Sequence, residues 1–550
     1  MKLNFYKQKN SIFLIFFYFL AFYLASVNVF DFGVHIEEKF HRLNGHYWLN
    51  YVAECFGFEN LQRITQIKID AIGDYTLSSI SRYNKYGVIF DLPAAYLEIV
   101  LGLDDISKIY YLKHILSFSI FLISSFYFYN ILEKRYNNFY ISFLGLVLFI
   151  TTPRIFGDSF LYKDVLFLSI FTISLYYFLK ILDRFSLNNL FFFSLFCAFA
   201  INLRIFAIFL PLFFLIIIFM KTLEDKNSKK IYTQILFFFI SLILFTYLFW
   251  PYLWENPITS FFNLFKSLKT DLINVKILYF NDYVYNTLLP DTYLINWFVI
   301  SNPIPQVLFF FFGYLFYARR FIKRFLHIKT DSIYPDLWRS KNEMKDFIIF
   351  FIFSSFFFIF LFFNAPYYNG WRLVYFYNFF IIYFGLNILS ILLVILRKKK
   401  FLKSFVVSII FFQIFYNVVI VYKSHPYQSI YFSDVLSEKF REGFEGDYYG
   451  LSAKHFFKYL AKLDTKEKII VAVASHTPLQ RGLEGFSEEL KNKFKIVGQE
   501  YHLADYIFKN NISEIDPRLN KKYEIPKNFS MIYTYKVNKT KIYEIYKSNK

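Results

Sequence analysis

SIFLIFFYFLAFYLASVNVF, residues 11–30, runs without a break into DFGVHIEEKFHRLNGHYW, residues 31–48. As a helix the first string reaches about 30 Å, the thickness of a bilayer's hydrocarbon core. Lys2, Lys7 and Lys9 precede it like the start of a signal peptide, but no small-residue cleavage site follows cleanly, so it reads as an uncleaved anchor. The second string turns abruptly acidic and imidazole-rich where the chain leaves the apolar run.

The same alternation continues to Val421. Further spans are expected at Ile109–Ile131, Phe139–Thr152, Val165–Leu182, Leu190–Leu203, Ile205–Met220, Ile231–Trp250, Tyr293–Tyr317, Phe347–Phe363, Leu373–Leu396 and Phe405–Tyr422, about eleven in all. Of the 550 residues 56% are hydrophobic and 24% aromatic, including 80 Phe and 47 Tyr, against 19% charged. That composition excludes a disordered or fibrous chain, and the repeated runs exclude a soluble one. The net charge of +20 does not indicate nucleic acid, because the Lys residues crowd into short segments between apolar runs, as anchors on one side of a membrane do. Cys55 and Cys197 lie in different segments and support neither a disulfide framework nor a metal site.

With the N-terminus cytoplasmic, Glu133–Asn138, Lys221–Lys230, Ala318–Lys345 and Arg397–Lys403 fall inside and hold most of the loop Lys and Arg, which fits the positive-inside rule. An odd number of spans then places the tail outside. The expected architecture is a polytopic α-helical membrane region, residues 1–422, with long outside loops at 31–108 and 251–292, and a small α/β domain at 423–550. Within the first loop, Tyr86–Leu103 carries Asp91 and Glu98 and suits an interfacial helix or re-entrant turn. In the tail, Tyr448–Leu463 and Ser487–Phe494 read as helices, and Lys468–Ala474, Leu503–Phe508, Met531–Val537 and Lys541–Tyr546 as strands.

Ionisable residues gather at the outer ends of spans rather than inside them. Asp31, His35, Glu37 and Glu38 lie within eight residues, a density suited to general-base work or to a divalent cation, though also to an ordinary solvated loop. In PRIFGDSFLYKD, residues 153–164, Asp158 and Asp164 flank Lys163; they suit binding of sugar hydroxyls or metal, and equally the capping of the next helix. Arg204 sits between two apolar runs and Arg372 follows YYNGW, where a phosphate best uses the planar guanidinium and snorkelling is the plain alternative. His425, in HPYQSIYFS at the start of the tail, carries little weight alone.

Taken in order, the acidic loop, PR…GDSFLYKD, Arg204, WPYLWENP at 250–257 and YYNGWRLVYF at 367–376 resemble the bacterial relatives of protein O-mannosyltransferases and aminoarabinose transferases. These are GT-C glycosyltransferases of the family 39 type, which use polyprenyl-phosphate sugars. The tail strings HPYQSIYFS and GFEGDYYGLS resemble a bacterial subgroup with a periplasmic C-terminal domain, so the likeness covers nearly the whole chain.

The resemblance implies Asp31 as the catalytic base, Asp164 as the second acidic position, and Arg204 and Arg372 near the lipid phosphate, with His35, Glu37, Glu38, Asp158 and Lys163 as substrate-binding candidates. The mannosyltransferases carry Asp-Glu where Asp31 is followed by Phe32, which leaves Glu37 or Glu38 as substitutes; Asn369 and Leu373 replace an acid and an imidazole of the subgroup. The implied activity is inverting transfer from a polyprenyl-phosphate sugar to a glycan, lipid or protein hydroxyl at the periplasmic face of a bacterial inner membrane. A divalent cation is the one cofactor considered, at Asp31, His35 and Asp164. The rival class is a transporter or flippase of lipid-linked glycans, which would favour repeated halves and helices broken at mid-membrane. A structural membrane protein leaves the ordered motifs unexplained.

Overall fold

The computed structural model describes residues 2–73, 87–222, 228–270, 274–328, 338–363 and 367–549. Among them, seven helices are long and apolar enough to cross a membrane: Lys9–Asp31, Ile106–Tyr136, Asp164–Asp183, Ile231–Leu248, Lys341–Phe362, Tyr377–Lys398 and Lys400–Lys423. Phe139–Thr151, Leu187–Leu203 and Ile205–Met220 are apolar but shorter, and Ile304–Phe325 is long with a basic end. Each expected span therefore has a helix. The third, 13 residues long, reaches only about 20 Å and leaves room for the polar turn that follows it.

The lipid-facing belt is visible in what remains uncovered. Ile12, Phe16 and Phe19 on the first helix and Phe411, Phe412 and Phe415 on Lys400–Lys423 are exposed, apolar faces that water would not tolerate. Inside, Asp164–Asp183 is packed on every side, and phenylalanines fill the bundle ring against ring, with Phe171 and Phe376 at 4.8 Å and Phe356 and Phe376 at 5.1 Å between centroids.

Two expectations change. The eighth span, expected as continuous over Tyr293–Tyr317, is broken into Tyr293–Ile300 and Ile304–Phe325. Pro303 has no N–H to donate and disfavours helical geometry at Asn302, so the chain restarts one turn later. The long first loop is itself helical, with Glu38–Cys55, Glu59–Ile72 and Asp91–Val100 folded over the ends of the spans. Within Tyr86–Leu103 the chain forms a helix at Asp91–Val100, and its Asp91 and Glu98 are buried among other side chains instead of facing water. Tyr86, and residues 223–227 and 329–337 of the basic inside segments, lie outside the described residues.

In the second long loop, residues 251–292, strands β1 (Lys276–Tyr279) and β2 (Asp282–Tyr285) form a hairpin whose turn residues, Phe280 and Asn281, both have positive φ. The tail builds a five-stranded sheet from β3 (Ile469–Val473), β4 (Phe494–Ile496), β5 (Tyr506–Lys509), β6 (Phe529–Val537) and β7 (Thr540–Ser548), in the order β4-β3-β5-β7-β6. β3 runs parallel to β4 and β5, and β7 antiparallel to β5 and β6. Helix Ser452–Leu463 covers the sheet and starts later than expected, because the Asp447 carboxylate accepts the Leu451 and Ser452 N–H groups, at 3.0 Å each, and holds Tyr448–Leu451 as a turn. The helix expected over Ser487–Phe494 is only Glu488–Asn492, since Phe494 opens β4.

The tail does not stand apart. Segment 424–454 runs back over residues 30–36 at the end of the first span, where the Ile36 N–H donates to the Tyr449 carbonyl at 3.1 Å and Lys454 donates to the carbonyls of Phe30 and Phe32. Gly33 permits this approach: a Cβ there would lie 2.5 Å from the Leu451 carbonyl oxygen.

Candidate active site

Three breaks in helical structure aim the site's side chains at one point. Lys163, at φ 107°, takes a conformation that L residues rarely adopt, immediately before helix Asp164–Asp183, and this turns Asp164 inward on the first turn. Arg204 follows the last residue of helix Leu187–Leu203. In YYNGW, Asn369 and Gly370 both have positive φ, and the resulting turn, tied by the Tyr293 hydroxyl donating to the Gly370 carbonyl at 3.1 Å, buries Arg372.

Around these turns a continuous ionic cluster forms. One oxygen of Asp164 accepts from Arg204, and the other from Nε of Arg372 at 2.9 Å. Nη2 of Arg372 donates to Glu37 at 2.8 Å, and Lys163 reaches the same Glu37 oxygen at 3.5 Å. The Arg372 guanidinium lies 5.5 Å from the Tyr368 ring and 5.4 Å from that of Tyr449, so the tail supplies part of the wall. Its Nη1 is buried with no hydrogen-bond partner among the described residues. Burial pushes the Glu37 carboxyl up, but the charges of Arg372 and Lys163 outweigh it and hold Glu37 well below the usual carboxylate range. Glu37 is also the most open of the five, its side chain 28% exposed against 1% for Arg372 and 5% for Asp164.

His35 accepts the Glu37 backbone N–H at Nδ1, 2.8 Å away, which fixes the tautomer with hydrogen on Nε2. Burial holds its imidazole well below the usual range, and therefore neutral. Its ring lies 4.4 Å from that of Tyr449.

Behind this cluster stands a second buried layer. Glu38 pairs with His114 at 2.6 Å, His41 and Asn44 hold Asp91 at 2.9 and 3.1 Å, and Arg42 grips Glu98 through two bonds of 3.0 and 2.6 Å. Burial pushes Glu98 up, yet the bonds from His46 and Arg42 prevail and lower it to about 2. His41, Arg42, Asn44, His46 and His114 were not among the sequence candidates. For His41, Arg42 and His46 the signal was the polar spacing 38, 41, 42, 46 along EKFHRLNGH, which places one hydrophilic helical face opposite Asp91 and Glu98, themselves seven residues apart.

Arg154 was likewise missed. Its Nε donates to the Tyr431 carbonyl at 2.8 Å, and its guanidinium lies 5.3 Å from each of the Trp297 and Phe432 rings, while Nη1 and Nη2 find no hydrogen-bond partner among the described residues. Asp158 is completely buried nearby; burial pushes its carboxyl up to about 7, against the Tyr375 hydroxyl and the Arg154 charge.

The structure thus gathers His35, Glu37, Lys163, Asp164, Arg204 and Arg372, places Glu38 in the layer behind, and seats Asp158 beside Arg154 and Tyr375. Asp31 lies apart: its carboxylate is largely exposed and pairs with Nε2 of His425 at 3.2 Å. The residues considered for a divalent cation do not fit one. Asp164 gives each oxygen to an arginine, Nδ1 of His35 is taken by a backbone N–H, and no group of three or more His, Cys, Asp or Glu suited to a metal occurs among the described residues.

No family model matches the chain, and no curated protein matches it. Among solved structures it is similar to the apo form of the Archaeoglobus fulgidus oligosaccharyltransferase, with 11% sequence identity and a TM-score of 0.41. That alignment covers 84% of this chain and 66% of the archaeal one.

Proposed function

We propose that this multi-pass membrane protein is an inverting glycosyltransferase that moves a sugar from a polyprenyl-phosphate carrier to an acceptor hydroxyl at the periplasmic face of a bacterial inner membrane. The observation that carries the proposal is the ionic cluster at the ends of the spans. Lys163, Arg204 and Arg372 against Glu37 and Asp164 leave one net positive charge, the complement of a sugar phosphodiester, beside an unpaired Arg372 nitrogen.

In this scheme the acceptor hydroxyl gives its proton to a carboxylate as its oxygen attacks the anomeric carbon from the face opposite the phosphate. The bond from that carbon to the phosphate oxygen breaks, and the electron pair leaves with polyprenyl phosphate. Its charge then grows from one to two negatives, stabilised by the arginines. A phosphate leaving group needs no strong acid, so one carboxylate and a cationic clamp suffice. Glu37 takes the role of base because it is ionised and the most accessible acid in the cluster, while Asp164 locks the arginines in register. Asp31 with His425 is the competing base at the rim.

The cytoplasmic placement of the N-terminus and the periplasmic placement of residues 423–550 are supported by the basic ends of the spans lying opposite the site. The acceptor binds on the side of the tail, whose Tyr449 lines the cluster. The test is to incubate the purified protein in detergent with labelled polyprenyl-phosphate sugars and follow the label. Movement to an acceptor or to water supports a transferase. Binding of the carrier without transfer, together with movement of lipid across vesicle bilayers, supports the flippase instead.

A further inference from the structure

The two long buried helices that carry the site end in a second polar feature. From Lys113 to Lys134 along helix Ile106–Tyr136, and from Asp164 to Asp183 along its neighbour, the rise is about 30 Å, so this feature lies at the opposite membrane boundary. There a shallow recess, with room for only about 10 Å³, opens between the helices; Ile131 and Leu179 are its apolar lining, and Lys134, Arg135, Lys180 and Lys345 outnumber the one carboxylate in it, Asp183, beside Tyr176.

Two carboxylates of this region are engaged, while Glu133 keeps one buried oxygen without a hydrogen-bond partner among the described residues. Asp346 accepts both Arg135 bonds, at 2.8 and 2.7 Å, and the hydroxyls of Tyr317 and Tyr383; Asp183 is held by Lys345 at 2.6 Å. Lys134 and Lys180 are left over. Their ammonium groups lie 4.7 and 5.6 Å from the centroid of the same ring, Tyr176, and neither is within salt-bridge distance of a carboxylate among the described residues. Both belong to the last turns of their helices, where a cation offsets the helix dipole, but that role does not call for two lysines converging on one aromatic ring above an apolar floor.

We infer that Lys134, Lys180 and Tyr176 form a binding site for the phosphate of an anionic phospholipid in the leaflet opposite the active site. The two ammonium groups clamp the phosphate over the Tyr176 ring, and Ile131 and Leu179 meet the first acyl carbons. A basic recess between spanning helices, apolar below and cationic above, matches such a lipid in both halves. The inference is independent of the proposed enzymatic function.

The test is a thermal-stability titration, with native mass spectrometry, of the purified full-length protein against phosphatidylglycerol, phosphatidylcholine and inorganic phosphate. Phosphatidylglycerol alone is expected to stabilise the protein and remain bound. Each lysine near a membrane surface contributes about fivefold, so Lys134→Gln with Lys180→Gln should weaken phosphatidylglycerol binding roughly 30-fold. Lys398→Gln with Lys399→Gln, outside the recess, should leave it unchanged. If the paired glutamine variant fails to fold, Lys134→Gln alone, at an exposed position, should still show its fivefold share. Equal responses to phosphatidylglycerol and phosphatidylcholine, or a recess variant that binds like the wild type, would overturn the site. Equal stabilisation by inorganic phosphate would overturn the lipid as its ligand.

Discussion

Asp164 holds two arginines at once, so removing its charge has a cost that the structure lets one work out. In Asp164→Asn the side chain keeps its size but offers one acceptor and an NH2 group that must face a guanidinium. Arg372, 1% exposed, then keeps Glu37, and Arg204 loses its pairing with Asp164. Breaking a buried ion pair from one side costs about 3–5 kcal/mol; because Arg372 retains Glu37, the lower end, about 3 kcal/mol, applies. Arg204→Gln on the same background removes the cation that Asp164 faced, so the double variant should be more stable than the sum of the two single losses predicts, by about 1–3 kcal/mol. The assay is unfolding of the four proteins in mixed micelles with increasing denaturing detergent. Losses that add to within about 0.5 kcal/mol would show that Arg204 and Asp164 are not coupled and would refute the cluster as described.

Other outcomes follow from single features. Gly33→Ala should displace the Leu451 backbone and detach segment 424–454, so that limited proteolysis releases the tail while helix content is unchanged; a protease-resistant variant would contradict the close approach. Glu445 is buried, and burial pushes its carboxyl up to about 8 from an ordinary 4.5. The folded state therefore holds a proton that the unfolded chain has lost, and this contribution to stability, full below about pH 4.5, declines as pH rises toward 8. Glu445→Gln should flatten the fall in melting temperature between pH 5 and 8; an unchanged slope would count against this origin. A reporter fused after Lys550 should be active only outside the cytoplasm and one inserted within residues 318–345 only inside, and the reverse pattern would overturn the topology.

The spans were legible because a run of apolar residues long enough to cross hydrocarbon has few other uses: of the eleven stretches, seven are helices long and apolar enough to cross, three are shorter helices, and one is broken. The break at Asn302-Pro303 was legible too, had the proline been given its weight against the apolar run around it. The tail strands Ile469–Val473 and Thr540–Ser548 announced themselves by β-branched and alternating residues, whereas β4, three residues long, has too little pattern to be seen. At the site, Asp164, Arg204 and Arg372 stood out because charge beside apolar runs is costly. Their pairing with one another is a tertiary fact: Glu37 and Arg372 are 335 positions apart, and no local spacing joins them. The same holds for Tyr449, an ordinary residue of the tail until the chain folds back over Gly33. Arg154 was passed over in favour of its acidic neighbours in PRIFGDSFLYKD, although an arginine following a helix-starting proline at a membrane boundary is as unusual as they are.

The most direct test of the central claim compares Glu37→Gln, Asp31→Asn and the wild type for transfer of labelled sugar from polyprenyl phosphate in detergent, with donor binding measured in parallel. Glu37→Gln should lower turnover by roughly the 10²–10⁴-fold of a lost general base while the protein remains folded and binds donor, and Asp31→Asn should retain most of its activity. Full activity in Glu37→Gln with loss in Asp31→Asn would move the base to the rim carboxylate paired with His425. Absence of any transfer by the folded wild-type protein, with donor bound, would contradict the account as a whole.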